Sequence, residues 1–265
     1  MKNKFCLGLI CAMAVSALVS CLGKKVEAPV DDYIDTLGVL TAFNDATYDE
    51  GGRHIQRRAY SNLSTLLSDL QSGNLDYAQF PSVMANYLLK KYDYLERVGF
   101  IDGTESFCIG VPPRNKDLLD EINLAIEELE DNKIIDNLTE EYLNGNEKNY
   151  NEVKFEEFEG AEAITFAVTG NIPPIDYVND GGVFSGFTTA FLSELGKKLK
   201  KNIKLISCEP GARPAMLLSR KADALFWVTI MSNEDLHPES FNMDGVLLSN
   251  PYLSGPIVKL KLKTQ

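Results

Sequence analysis

The sequence predicts an α/β protein with mainly parallel sheets. Short aliphatic and aromatic runs alternate with stretches of helical periodicity. The alternation recurs on both sides of a polar, acidic segment at 144–160. A length of 265 residues is enough for one large domain or for two lobes that each bury a core.

The N-terminal segment, 1–20, reads as an address. Met1-Lys2-Asn3-Lys4 is a basic start and 5–19 an apolar run. At about 15 residues that run fits a signal core and is short for a membrane span. It ends in Leu18-Val19-Ser20-Cys21, which resembles a bacterial lipoprotein signal. The resemblance implies cleavage before Cys21, acylation of its thiol, and a chain lipid-anchored to the membrane of the cell envelope on the extracytoplasmic side. An ordinary secretory signal that contains a cysteine is the alternative. No other run is apolar for the roughly 18 residues a spanning helix needs.

Residues 21–32 form a polar tether, and 36–42 reads as a strand. The Asn-, Asp- and Gly-rich stretch 44–52 is a loop. Arg53, His54, Arg57 and Arg58 give a polar basic stretch that reads as a surface helix. Leu63, Leu66, Leu67 and Leu70 make one apolar stripe and predict a helix over 61–70. Gln71-Ser72-Gly73-Asn74 stops it before a strand at 75–80 and a helix at 81–91. Two separate strands follow at 98–101 and 107–111, then two helices within 116–143 broken near Asp131-Asn132. Past the linker, where Phe155 and Phe158 are positioned to pack locally, strands are expected at 164–168, 203–207 and 222–228 and helices at 188–199 and 213–219.

Composition removes several functions. Twenty-six basic residues against 38 acidic ones leave a net charge of −12, unsuited to neutralising phosphates, so no nucleic-acid partner is expected. Two histidines give little material for a His-based metal site or a Ser-His triad. Of five cysteines, Cys6 and Cys11 leave with the signal and Cys21 is acylated; Cys108 and Cys208 read as buried free thiols, a disulfide outside the cytoplasm being the alternative. The acidic residues Glu152, Glu156, Glu157 and Glu159 lack the spacing and central glycine of a calcium loop. No phosphate loop or nucleophile elbow is present, so neither catalysis, a metal nor a cofactor is expected.

The second half carries Ile164-Thr165-Phe166-Ala167-Val168-Thr169-Gly170, Pro173-Pro174, Tyr177, Gly186-Phe187, Gly211-Ala212-Arg213-Pro214-Ala215, Ala222-Asp223-Ala224-Leu225-Phe226 and Asn250-Pro251-Tyr252-Leu253-Ser254-Gly255. In that order these resemble the first lobe of the bacterial extracellular solute-binding proteins of family 3, the amino-acid-type periplasmic binding proteins of type II fold. The first half carries Ser72-Gly73-Asn74-Leu75-Asp76, Phe107-Cys108-Ile109-Gly110-Val111 and Asp117-Leu118-Leu119, which resemble the family's second lobe and closing helices. The order is reversed. The resemblance therefore implies a circularly permuted, two-lobed chain. A second-lobe-like segment spans 33–105, and the return strand and closing helices of the first lobe span 106–143. An acidic linker occupies 144–162, and a first-lobe-like segment that ends at the hinge crossing spans 163–265. A monomer is implied, the alternative being two chains that exchange halves.

Proteins of this family close two lobes on a small solute, which implies a solute and an ABC-type permease as partners. Carried over position by position, the family's ligand chemistry is missing here. The first aromatic stacker is Ile172 and the second Glu209; the carboxylate-binding arginine is Asp235. The second-lobe carboxylate falls at Pro81, and Thr41-Ala42-Phe43 replaces the usual Ser/Gly-Thr turn. Arg213, at a helix start, is the candidate for an anion, and Tyr177, Phe43 and Trp227 are candidate lining residues. An acid in place of a guanidinium repels a carboxylate, so the expected solute is cationic or neutral and polar. Two other classes stay open: a scaffold without ligand that serves as a surface or sensory accessory, and an enzyme on this fold.

Overall fold

The computed structural model describes residues 35–41, 55–144, 153–232 and 245–264. The signal, the tether, Cys21, Phe43, His54 and Asp235 lie outside the described residues.

Strand β1 (Asp35–Leu40) is followed by β2 (Ile55–Tyr60), which pairs with it in parallel, Asp35 opposite Ile55. The described part of the basic stretch, with Arg57 and Arg58, is thus an edge strand rather than the surface helix expected. Its exposed positions are Gln56, Arg58 and Ala59, and the first two are polar and charged side chains of the kind that keep an open edge from pairing with another chain. Helix α1 (Leu63–Gln71) starts at Asn62, whose side-chain oxygen accepts the Thr65 N–H at 2.9 Å. It buries Leu63, Leu66, Leu67 and Leu70 on one stripe. It ends where Gly73 takes φ +72° and the Asn74 N–H returns to the Asp69 carbonyl at 2.9 Å. Strand β3 (Tyr77–Pro81) then pairs with the other side of β1, and helix α2 (Ser82–Lys91) follows.

Strand β4 (Leu95–Val111) runs unbroken for 17 residues, where two separate strands were expected. Helices α3 (Lys116–Asp131) and α4 (Ile134–Leu138) break at Asn132 and Lys133, as the pattern predicts, with Lys133 at φ +57°. Residues 153–162 have no regular structure, but Val153 and Phe155 pack on the core. Strand β5 (Ala163–Val168) leads into a small sheet of β6 (Asn171–Ile172), β7 (Asp176–Val178) and β8 (Phe184–Ser185), too short to leave a periodic trace. Helix α5 (Phe187–Leu199), β9 (Asn202–Ser207), α6 (Arg213–Leu218) and β10 (Ala224–Ser232) follow, then β11 (Leu247–Leu248) and β12 (Leu253–Leu262).

The large sheet has the order β2-β1-β3-β12-β4-β10-β5-β9. Each flank is a parallel trio in which the first strand is central, the second is the edge and the third lies inward: β2-β1-β3 on one side, β9-β5-β10 on the other. Between the trios run β12 and β4, antiparallel to each other and to their inner neighbours. Each trio thus reaches the other through the same two crossing strands.

The trios also share a local device. α6 ends as α1 does: Arg220 takes φ +58° and the Lys221 N–H returns to the Met216 carbonyl at 3.0 Å. Ser72 and Ser219 stand at the matching C-caps, and their hydroxyls bond the carbonyls of Ser68 and Ala215 at 2.8 and 2.7 Å. An aspartate before the third strand, Asp76 or Asp223, then ties back to the first strand at Thr36 or Thr165. The same helix-turn-strand unit was built twice.

One apolar cluster runs through both halves, from Leu66, Phe80 and Leu88 to Phe166, Phe191 and Trp227. Its centre is aromatic: Phe107 meets Trp227 edge-on at 4.7 Å, and Tyr252 lies 4.8 Å from both Phe191 and Phe226. No described helix is long and apolar enough to cross a membrane.

Candidate functional site

The register shows where the trios point. In one half, Pro81 at the carboxyl end of β3 lies opposite Ile257, which lies opposite Ile101 of β4. In the other, Ser232 at the carboxyl end of β10 lies opposite Thr104 of β4. Both trios therefore direct their carboxyl ends at the same short stretch of the crossing strands, from opposite sides. Solutes bind open α/β sheets at strand carboxyl ends, because connecting loops and unpaired main-chain groups gather there.

That stretch is irregular. Pairing slips between Pro256 and Ile257, so that Pro256 faces Thr104 and Ile257 faces Ile101, and Asp102-Gly103 is a bulge within β4. The site is rich in hydroxyls. Ser106 and Ser254 share a hydrogen bond of 2.8 Å, and a Cβ at Gly255 would come within 2.6 Å of the Ser82 hydroxyl. The Thr41 hydroxyl donates to the Tyr60 carbonyl at 3.2 Å, and the Asn171 side chain reaches across to the Ser61 carbonyl at 3.5 Å. Glu105 is buried in β4 between Met231 of β10 and Gly255 of β12. In the sequence Glu105 sits in the polar run Asp102-Gly103-Thr104-Glu105-Ser106, between the two strands expected, and carries no signal of burial.

The residues singled out from the sequence divide by burial. Glu209 is exposed just after β9, and Tyr177 is half-buried in β7, opposite Asn171 and Ser185. Thr41 is half-buried at the end of β1. Ile172 and Trp227 are interior side chains, each 2% exposed. The Trp227 indole N–H donates to the buried Thr188 hydroxyl at 2.6 Å, and its backbone takes φ +59° beside an irregularity in β10. These two are packed in the core rather than lining an open crevice.

Arg213 is 3% exposed. Its Nε–H donates to the Pro210 carbonyl at 3.3 Å, and Nη1 to the carbonyls of Phe226 and Trp227 at 3.0 and 2.8 Å. The guanidinium braces the turn before α6 against the bend in β10. α6 has six residues and its start offers no separate anion site.

Beside it lies a residue the sequence reading passed over. Asp176 opens β7 and is 1% exposed. Its Oδ2 accepts the Thr169 backbone N–H at 2.6 Å and the Thr169 hydroxyl at 2.9 Å, just past the carboxyl end of β5. Oδ1 is buried without a hydrogen-bond partner. Burial raises the Asp176 pKa and outweighs the Thr169 donors, the Gly170 amide and the Arg213 charge, which act to lower it. The Cys208 thiol is half-buried and raised by burial; Cys108 is fully buried and pushed up to about 12. Among the described residues no group of three or more His, Cys, Asp or Glu is placed to hold a metal ion.

No protein-family model matches the sequence, and no curated protein matches it. In structure it is similar to the ligand-binding component of an ABC-type import system from Staphylococcus aureus with zinc bound, at 13% identity and TM-score 0.42, over 86% of this chain and 66% of that one. It is similar to an alkanesulfonate-binding protein from Xanthomonas axonopodis pv. citri bound to MOPS, at 13% identity and TM-score 0.43, over 87% and 65%. It is also similar to the methionine-binding protein MetQ, at 14% identity and TM-score 0.40, over 88% and 84%. The chain spans slightly less than two thirds of the length of the first two.

Proposed function

We propose that the chain is an extracytoplasmic solute-binding protein, lipid-anchored through Cys21, that hands a small solute to an ABC-type importer. The observation that carries this reading is the convergence of two parallel trios, carboxyl ends first, on two shared crossing strands. Such a layout lets two halves close on a solute by bending only the crossings. The bulge at Asp102-Gly103 is where β4 has slack to bend. In this reading the halves stand in permuted order, with 144–162 joining the family's ordinary ends, and one monomer contains both.

Small-angle scattering of the 22–265 fragment tests the closure. A bound solute should lower the radius of gyration, and an unchanged radius at saturation speaks against closure. Replacing Cys21 with alanine should abolish partitioning into detergent; continued partitioning would place the anchor elsewhere. Sedimentation should give about 27 kDa, at ~110 Da per residue. A dimer that exchanges halves would contradict the permuted monomer.

A second reading has its own observation. Ile172, at the family's first stacker position, and the candidate ligand residues Arg213 and Trp227 are built into the interior. A scaffold that no longer binds solute and serves as a surface or sensory accessory fits that placement, and it predicts no saturable response to any small molecule.

A further inference from the structure

Just past the carboxyl end of β5, three groups are of the kind that would receive a solute's anionic end: the Thr169 backbone N–H, the Thr169 hydroxyl and the Arg213 guanidinium. All are buried, and all are already engaged. The two Thr169 donors go to Asp176 Oδ2 at 2.6 and 2.9 Å. Arg213 spends N–H groups on the carbonyls of Pro210, Phe226 and Trp227, and its charge acts on Asp176. The donors here thus meet a carboxylate that belongs to the chain.

The geometry points to Asp176 as a built-in surrogate anion: its carboxylate fills the anion-receiving position of this half, so the cleft takes neutral polar or cationic solutes and rejects carboxylates, sulfonates and phosphates. This deepens the solute-binding reading and rests on it for the solute, but the surrogate itself can be tested without one. An anion that entered would have to displace a covalently tethered carboxylate. It would also leave that carboxylate buried beside it, with one oxygen already lacking a partner. The hydroxyls of Ser106, Ser254 and Ser82 and the exposed Glu209 carboxylate favour hydroxylated or ammonium-bearing groups.

The test is chemical rescue. Asp176→Ala leaves the Thr169 donors and the Arg213 charge facing a space the size of a small carboxylate. Formate should therefore stabilise this variant saturably, against chloride at equal ionic strength. The expected rise is about 3–5 °C at roughly ten times its Kd. Wild type should not respond, and neither should Asp176→Asn, in which the space stays filled. If Asp176→Ala does not fold in dilute buffer, refolding it from urea in formate against chloride reads the same quantity, and formate should raise the recovered fraction. Equal behaviour in the two salts overturns the surrogate. Titration of wild type with succinate, glutamate, sulfate and phosphate reads the exclusion, and saturable stabilisation by any of them overturns it. Formate rescue together with no response of wild type to any solute class upholds the surrogate and sinks the receptor reading.

Discussion

Asp76 turns one carboxylate oxygen to both donors of Thr36: the backbone N–H at 2.8 Å and the hydroxyl at 2.7 Å. The Asp76 N–H returns to the Thr36 carbonyl at 3.1 Å, so the entry of β3 is locked to the start of β1. Asp223 and Thr165 repeat the tie in the other trio, at 2.9 Å to the carboxylate and 2.8 Å for the return bond. These two aspartates fix the register on which the converging strand ends depend.

Asp76→Ala and Asp223→Ala should therefore each cost about 1–3 kcal/mol, because part-buried amide donors lose a charged acceptor. The two ties share no partner, so the double variant should match the sum within about 0.5 kcal/mol. Urea denaturation of the two single variants and the double measures this. A double variant no less stable than either single would show that the ties are not independent locks.

Arg213 is a brace, and its loss should be severe. Arg213→Met removes the donors to three carbonyls and leaves the Asp176 carboxylate buried without its neighbouring cation, at a cost of about 3–5 kcal/mol. Arg213→Lys should recover little, since one ammonium cannot reproduce the fork. Trp227 is the single tryptophan and reports the loss by fluorescence during urea unfolding. A lysine variant within about 1 kcal/mol of wild type would mean that the guanidinium is not needed as a brace.

Cys108 sets a pH dependence. Burial holds its thiol protonated up to about 12, against an ordinary value of 9.0. The stability this contributes is complete below the unfolded pKa and is lost as pH rises from there toward the folded value. Relative to Cys108→Ala, wild type should lose up to about 1.4 kcal/mol per pH unit above pH ~9. Parallel stability curves for the two proteins in that range would contradict the burial.

Glu209 is exposed, so Glu209→Gln should leave stability within about 0.5 kcal/mol of wild type. Binding of a cationic solute should weaken about 10- to 150-fold, the loss of one charge-assisted contact. Isothermal titration reads both directions: unchanged affinity removes Glu209 from the site.

Much of the fold was legible because its strands and helices carry strong periodicity. The leucine stripe of α1, the break at Asn132 and the β5-α5-β9-α6-β10 alternation stand where the pattern puts them. The misses have physical causes. β2 is an edge strand in which Gln56, Arg57 and Arg58 stand in a row, which erases its apolar alternation. Asp102-Gly103 reads as a turn, yet pairing with β12 carries β4 through it as a bulge. Gly255-Pro256 hid β12 in the same way. At the site, a helix-start arginine reads as exposed, but only the packed structure shows its donors facing inward to carbonyls. Asp176 belongs to no motif in the sequence, and only its burial against Thr169 gives it a role.

Solute binding is tested most directly by a thermal-shift screen of the 22–265 fragment against amines, sugars and polyols, small peptides, amino acids and organic acids. A solute that binds only the folded chain must raise its melting temperature, by an amount equivalent to about 2.7 kcal/mol at a hundred times its Kd. A saturable rise is expected with at least one cationic or neutral polar solute and none with the anions. A flat response across every class, or a rise with an organic acid alone, would contradict that expectation.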